Sequence, residues 1–180
     1  MSTLTAAAPR SAAGDPARLR RALGAFATGV TVVTVGGASP RGMTANSFTS
    51  VSLDPALVLV CVGNDAVMNG ALAEADTFAV SVLHAGQEDV ARHFADRSRP
   101  MGAEQFDAVD WLPGRATGVP LIAGAAAHFE CVRWGAYDGG DHTIRVGRVI
   151  TLDDLPDRDP LVFHRGRFRQ LAGQAQAGAA

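Results

Sequence analysis

Most of the hydrophobic pattern in this chain is short and extended. Val30–Val35 (VTVVTV) is β-branched at every position, and Leu57–Val62 (LVLVCV) is an unbroken apolar run too short for an ordinary helix. Phe78–Leu83, His128–Trp134 and Leu161–Phe163 are further apolar stretches of strand length, and Thr44–Val51 adds a more polar one. Thr143–Leu152 alternates, with Ile144, Val146 and Ile150 assigned to one face and Arg145 to the other. Turn residues separate the runs: Gly36-Gly37 with Ser39-Pro40, Leu53-Asp54-Pro55, Asp138-Gly139-Gly140 and Arg165-Gly166.

Helical signals occur at three places. Asp15 is a good cap and Pro16 suits a first helical turn; Leu19, Leu23 and Phe26 then recur at helical spacing up to Gly29. Asn64-Asp65 stands before Val67, Met68 and Leu72 as a capped short helix, and Gln87–Ala95 carries Val90 and Phe94 on one face. Asp96–Pro120, rich in Pro, Gly and charge, reads as a loop. Six or seven strands in hairpin-like succession, with two or three helices, predict a mainly β fold. The expectation is an antiparallel barrel with a few peripheral helices, in one domain over residues 15–171. Residues 1–14 and 172–180 are expected to be disordered tails.

Composition then narrows the chemistry. The chain has 180 residues, 47% hydrophobic and 19% charged, an ordinary globular balance. A net charge of -2 gives no reason to expect a nucleic-acid partner. No apolar run is long enough for a bilayer, and the polar N-terminus lacks a secretory pattern, so a cytoplasmic protein is expected. All 16 basic residues are arginine, which excludes a Schiff-base lysine and a P-loop lysine. A bound phosphate would therefore rest on arginine, hydroxyls or backbone N–H groups. Cys61 and Cys131 form no paired motif, and the five histidines have no metal-ligand spacing, so no metal is expected. No dinucleotide-binding glycine fingerprint follows a strand. These features reach an antiparallel barrel and stop there.

Several segments together carry a resemblance. Gly29–Thr34 and Gly42–Pro55 (GMTANSFTSVSLDP) come first, then Leu57–Cys61 and Phe78–Leu83. Gly140-Asp141-His142, Gly147-Arg148-Val149 and Pro160–Gly166 (PLVFHRG) follow in order. In this order and spacing the chain resembles the short-chain flavin reductases, the reductase components of two-component flavin-dependent monooxygenases. The likeness covers roughly Leu19 to Leu171. It implies a split β-barrel of Greek-key, FMN-binding type, and a homodimer with flavin near the subunit interface. It also implies reduction of FMN or FAD by NADH or NADPH, with the product passed to a monooxygenase partner.

The resemblance assigns residues as well. Gly42, Met43, Thr44, Ala45, Asn46 and Ser47 match the family's flavin-contacting stretch, Gly42 by letting backbone approach a flat ring. Ser52, Cys61, Val62, Gly63, Val67 and Met68 follow as flavin candidates. So do His93, Phe94 and Arg97, the last as a phosphate ligand that cannot lose its charge. His142 is the candidate catalytic residue, which the resemblance sets beside flavin and nicotinamide. Phe163, His164, Arg165 and Gly166 match a stretch that meets the nicotinamide nucleotide. Taken without the resemblance, Thr44–Ser47 are as well explained by a polar turn, Cys61 and Phe94 by the core, and Gly140–His142 by a hairpin turn. Asn64–Asn69 departs from the family at the expected phosphate loop, which leaves those contacts open. Two other functions stay open at this level: a flavin-binding sensor or storage module, and a tightly flavin-bound oxidase of the pyridoxamine-phosphate-oxidase type.

Overall fold

The computed structural model describes residues 15–155 and 157–171; both expected tails lie outside the described residues. The Asp15 carboxylate accepts the Ala17 and Arg18 N–H groups at 3.0 and 3.1 Å and so caps α1 (Pro16–Leu23). That helix stops at Gly24, and none of its residues is buried. Phe26 lies beyond it in a turn and is 78% exposed. The next strands are β1 (Thr28–Gly29), β2 (Thr31–Val35), β3 (Arg41–Ala45), β4 (Thr49–Leu53) and β5 (Ala56–Gly63). After α2 (Val67–Glu74), β6 (Thr77–Val82) and α3 (Glu88–Ala95), a 3₁₀ turn at Gly102–Phe106 leads to β7 (Trp111–Pro113) and β8 (Pro120–Ile122). The long ribbon β9 (Ala127–Asp138) and β10 (His142–Asp154) and the hairpin β11 (Val162–His164) and β12 (Arg167–Arg169) complete the described fold.

Every strand pairing is antiparallel. Seven strands form one sheet in the order β3-β2-β6-β9-β10-β5-β4. Its two edge strands, β3 and β4, are joined by only Asn46, Ser47 and Phe48. A link that short reaches no more than about 15 Å, so the sheet must curl until its edges meet. This curl makes the split-barrel architecture and creates a seam between β3 and the β4–β5 edge. The inside of the curl is filled by Val33, Val58, Val60, Val62, Phe78 and Val80, with Met68 and Leu72 of α2 closing one end. Val30, Val32, Leu83, Ala91, Phe94 and Phe106 form a second cluster on the other side of β2. Strand β2 is therefore buried on both faces, which is why it has no polar alternation.

The structure corrects four local expectations. Thr44–Val51 is not one strand, because the chain leaves one sheet edge for the other at Asn46–Phe48. Asn64 and Asp65 do not cap α2; its N-cap is Ala66, and the Asn64 side chain is engaged elsewhere. The stretch 96–120 is not all loop, since it contains the 3₁₀ turn and β7. Ile150 does not follow the alternation of Val146, because register shifts after Val146 and after Val149 reset it.

Candidate functional site

A cavity of about 680 Å³ opens at the seam, within the ~300–1,000 Å³ usual for small-molecule sites. Met43, Thr44, Ala45, Asn46 and Ser47 form one wall, from β3 and its link to β4. Cys61, Gly63, Asn64, Asp65 and Ala66 form the floor, and Asp141 and His142 rise at its edge with Arg97 on the rim. Strand parity sorts β5: Val58, Val60 and Val62 point into the core, so Cys61 and Gly63 face the cavity.

The hydroxyls of this wall are partly committed. The Ser47 hydroxyl donates to the Cys61 carbonyl at 2.9 Å and accepts the Cys61 N–H at 3.0 Å, stitching the seam. The Thr44 hydroxyl donates to the Ala91 carbonyl at 2.7 Å, tying β3 to α3. Both keep an oxygen lone pair but no free proton for a ligand. The exposed Asn46 side chain makes no hydrogen bond among the described residues. Gly63 leaves the floor open: a Cβ there would lie 3.1 Å from Asp65 Oδ1 and 4.0 Å from His142 Nε2. Arg97 pairs only loosely with Asp65, at 3.8 Å with both side chains mostly in water, an arrangement worth little in free energy.

His142 is held from two sides. Its Nδ1 lies 2.7 Å from Asp141 Oδ1, and that hydrogen bond, followed by the imidazole's charge, holds the Asp141 carboxyl below its ordinary range. The turn before it is braced across the cavity floor. Asn64 donates its side-chain N–H to the Gly140 carbonyl at 2.9 Å and its backbone N–H to the Asp141 carbonyl at 3.0 Å. Thr143 donates to Asn64 Oδ1 at 2.8 Å, and Asn69 donates to the Thr143 hydroxyl at 3.2 Å. Arg145 fixes Asn69 in turn, with Nη2 at 2.7 Å from its side-chain oxygen and 2.9 Å from its carbonyl. Burial holds the Arg145 guanidinium below its ordinary pKa, with Arg133 adding to that shift.

Of the residues singled out in the sequence, the cavity gathers Met43, Thr44, Ala45, Asn46, Ser47, Cys61, Gly63, Arg97 and His142. The others lie elsewhere. Gly42 does meet a flat ring, but that ring is Phe94: a Cβ on Gly42 would collide with Phe94 Cε1. Phe94, Val62 and Met68 are core residues, and Val67 is exposed on α2. Ser52 stands on the edge strand β4. His93 turns away from the cavity and donates from Nε2 to the Gln105 carbonyl at 2.7 Å. Gln105, unnoticed in the sequence, is fully buried and accepts the Gly42 N–H at 2.8 Å, so it anchors the start of β3. Phe163 and His164 lie on β11, with Arg165 and Gly166 at the β11–β12 turn against α1. Asn64, Asp65 and Ala66 form the floor of the site, where the sequence offered a helix start and the expected phosphate loop. Arg145 gave no signal beyond a polar residue opposite an apolar face, and Asn69 none beyond its place in the expected phosphate loop.

Comparison with known proteins identifies the family and the fold. The flavin reductase like domain model matches residues 23–172. An NADH-dependent FAD reductase of Streptomyces globisporus is 62% identical over 166 residues, covering 92% of this chain and 91% of that protein. The solved NADH:FAD oxidoreductase SgcE6 of S. globisporus C-1027, in complex with NAD and FAD fragments, superposes with a TM-score of 0.86 at 61% identity. That match covers 89% of this chain and 95% of SgcE6. BorF, the flavin reductase component of a bacterial two-component tryptophan halogenase, gives a TM-score of 0.84 at 57% identity, over 87% and 98% of the two chains. Reductase subunits of flavin-dependent monooxygenases are also among the relatives. The chain therefore belongs to the flavin reductase like domain family.

Proposed function

We propose that this protein transfers a hydride from NADH to FAD or FMN and releases the reduced flavin to a flavin-dependent oxygenase or halogenase. Its relatives with these activities support the reading. The observation that carries it is the open floor at Gly63, set between His142 and Asp65 in a cavity of ligand size. A flat ring needs such a floor, and a side chain there would fill it.

The two bound substrates supply the redox chemistry, a hydride passing from nicotinamide C4 to flavin N5. The protein's own residues bind and orient. Asn46 offers a free amide to the polar edge of the ring, and Thr44 and Ser47 offer acceptor lone pairs. Arg97, held only loosely by Asp65, would hold the flavin phosphate. His142, fixed by Asp141, steadies the nicotinamide against the ring, and Met43 and Ala45 keep water from that wall. Holding two rings in contact is itself a large part of the rate. A flavin that must leave calls for moderate affinity, near micromolar or about -8 kcal/mol.

We also infer a homodimer. Leu19, Leu23 and Phe26 at α1, and Val51 and Leu53 on the edge strand β4, are exposed apolar side chains; a second copy would cover them. Sedimentation equilibrium should give twice the chain mass, and a monomer at micromolar concentration would overturn this part. The catalytic reading is tested by NADH oxidation with FAD or FMN added separately. Turnover that saturates with added flavin supports it. Flavin binding without NADH oxidation would leave a sensor or storage module instead. No helix among the described residues is long and apolar enough to cross a membrane.

A further inference from the structure

The acidic and basic side chains lining the seam cavity are Asp65, Asp141, Arg97 and His142. Asp141 is committed, its Oδ1 lying 2.7 Å from His142 Nδ1. Asp65 is not. Its side chain makes no hydrogen bond among the described residues, and its ion pair there is the 3.8 Å contact between Oδ2 and Arg97 Nη1. The other oxygen, Oδ1, stands 3.1 Å from the point where a Gly63 side chain would begin. A carboxylate with no hydrogen bond to the fold therefore borders the open floor assigned to the flavin ring.

An aspartate is ordinarily anionic at neutral pH, and even a hydrated charge acts on a neighbour a few ångströms away. The charge of that neighbour changes during the reaction. The oxidised flavin ring is neutral. A hydride carries a proton and an electron pair, so breaking the nicotinamide C4–H bond and forming N5–H leaves a cationic nicotinamide and an anionic reduced ring. Once the oxidised nucleotide departs, the ring's negative charge remains beside Asp65. Arg97 gives little relief, because it is assigned to the flavin phosphate. That phosphate is the same in both oxidation states, so its contacts cancel when the two forms of flavin are compared.

We propose that Asp65 makes the seam cavity discriminate between the two oxidation states of flavin, weakening its hold on the reduced anion relative to the neutral oxidised ring and so favouring release of product. The proposal rests on the reductase reading and on the ring lying over Gly63. Like charges about 6 Å apart in surroundings close to water correspond to roughly a fivefold difference in affinity. By linkage, a fivefold weaker hold on the reduced form lowers the potential of the bound flavin by about 20 mV, since a tenfold change in a two-electron couple is about 30 mV.

The test uses the full chain as wild type, Asp65→Asn, Asp65→Glu and Glu74→Gln. Glu74 is an exposed carboxylate at the other end of α2 and does not line the cavity. Kd is measured for oxidised FAD by flavin fluorescence and for reduced FAD by anaerobic ultrafiltration, at mildly alkaline pH so that the reduced ring stays anionic. Spectroelectrochemistry gives the potential of the bound flavin. Asp65→Asn should tighten reduced FAD about fivefold relative to oxidised FAD and raise the bound potential by about 20 mV. Asp65→Glu, which keeps the charge, should retain the wild-type ratio, and Glu74→Gln should leave both Kd values unchanged. The proposal is overturned if Asp65→Asn tightens both forms equally, if the ratio does not move, or if Glu74→Gln reproduces the change. An altered Tm with an unmoved ratio would also overturn it, and would make Asp65 a structural residue at the start of α2. Wild-type protein that binds FAD but never oxidises NADH would sink the reductase reading instead, and the ratio, which needs no NADH, would still decide the role of Asp65.

Discussion

The seam cavity and a second cavity, lined by Arg18, Arg20, Arg21 and Arg165 between α1 and the β11–β12 turn, are built in opposite ways. The first lies where the sheet closes on itself, and most of its polar groups are tied down, leaving Asn46 and the loose Arg97–Asp65 pair. Ser47 is held by Cys61, Thr44 by α3, and the Gly140–His142 turn by Asn64, Thr143, Asn69 and Arg145. The second rests on a helix that buries nothing, with four cations facing water. A reaction between two stacked rings needs the fixed arrangement, because misplacement by an ångström is costly. The arginines beside α1 make no such commitments among the described residues. The contrast teaches that rigidity here is concentrated at the seam, where the chemistry is assigned.

The contrast can be broken most strongly at the cavity floor. Gly63→Leu puts a side chain where the ring is assigned, and flavin affinity should fall about a hundredfold with little change in Tm. Titration of the variant with FAD checks this; unaltered affinity would remove the seam as the flavin site. Gly42→Ala acts one layer deeper, against the Phe94 ring. It should cost about 1–3 kcal/mol of folding stability, while the folded fraction keeps its flavin Kd, as denaturant unfolding and titration would show together.

Asn69→Ala loosens the brace behind His142. Hydride transfer in single-turnover mixing should slow about fivefold, with flavin affinity and Tm nearly unchanged. Arg145→Lys should give an intermediate rate, since an ammonium group lacks the fork that grips Asn69 twice. Equal rates in wild type and both variants would reduce the brace to decoration of the strand.

A fourth prediction concerns pH. Glu130, 2% exposed on β9, accepts the Thr117 hydroxyl at 2.6 Å and the Thr117 and Ala116 N–H groups. Burial alone would raise its pKa, but these hydrogen bonds outweigh it and hold the carboxyl below its ordinary value. Its stabilisation is therefore complete above the unfolded carboxylate value of about 4.3. It is lost as pH falls through the lower folded value. Glu130→Gln should melt below wild type at neutral pH, and the gap should narrow on acidification below about pH 4. A gap that widens in acid would show the opposite sign. The smallest effect is expected at α1, where Leu19→Ser should change the unfolding free energy of the single chain by less than about 0.5 kcal/mol.

Much of the fold could be read from the sequence because its signals are local. The doubly buried β2, the apolar run of β5 and the Asp15 cap each announce themselves within a few residues. The break at Asn46–Phe48 did not, because a polar strand and a polar crossing look alike until the sheet order is known. In the site, Thr44–Ser47, Gly63 and His142 came from a resemblance, and the seam brings them together. Gly42 and Phe94 show where such reasoning stops: a glycine under a flat ring was foreseeable, but not that the protein supplies the ring. The brace that Asn69 and Arg145 form was invisible because the residues it joins lie more than 70 positions apart.

The most direct test of the central claim is anaerobic mixing of the protein with FAD and NADH, following the loss of flavin absorbance. Bleaching at a rate proportional to protein concentration, abolished by Gly63→Leu and slowed by His142→Ala, is the predicted result. Bleaching that proceeds equally in wild type and Gly63→Leu would contradict the account and place the meeting of the two rings somewhere other than the seam.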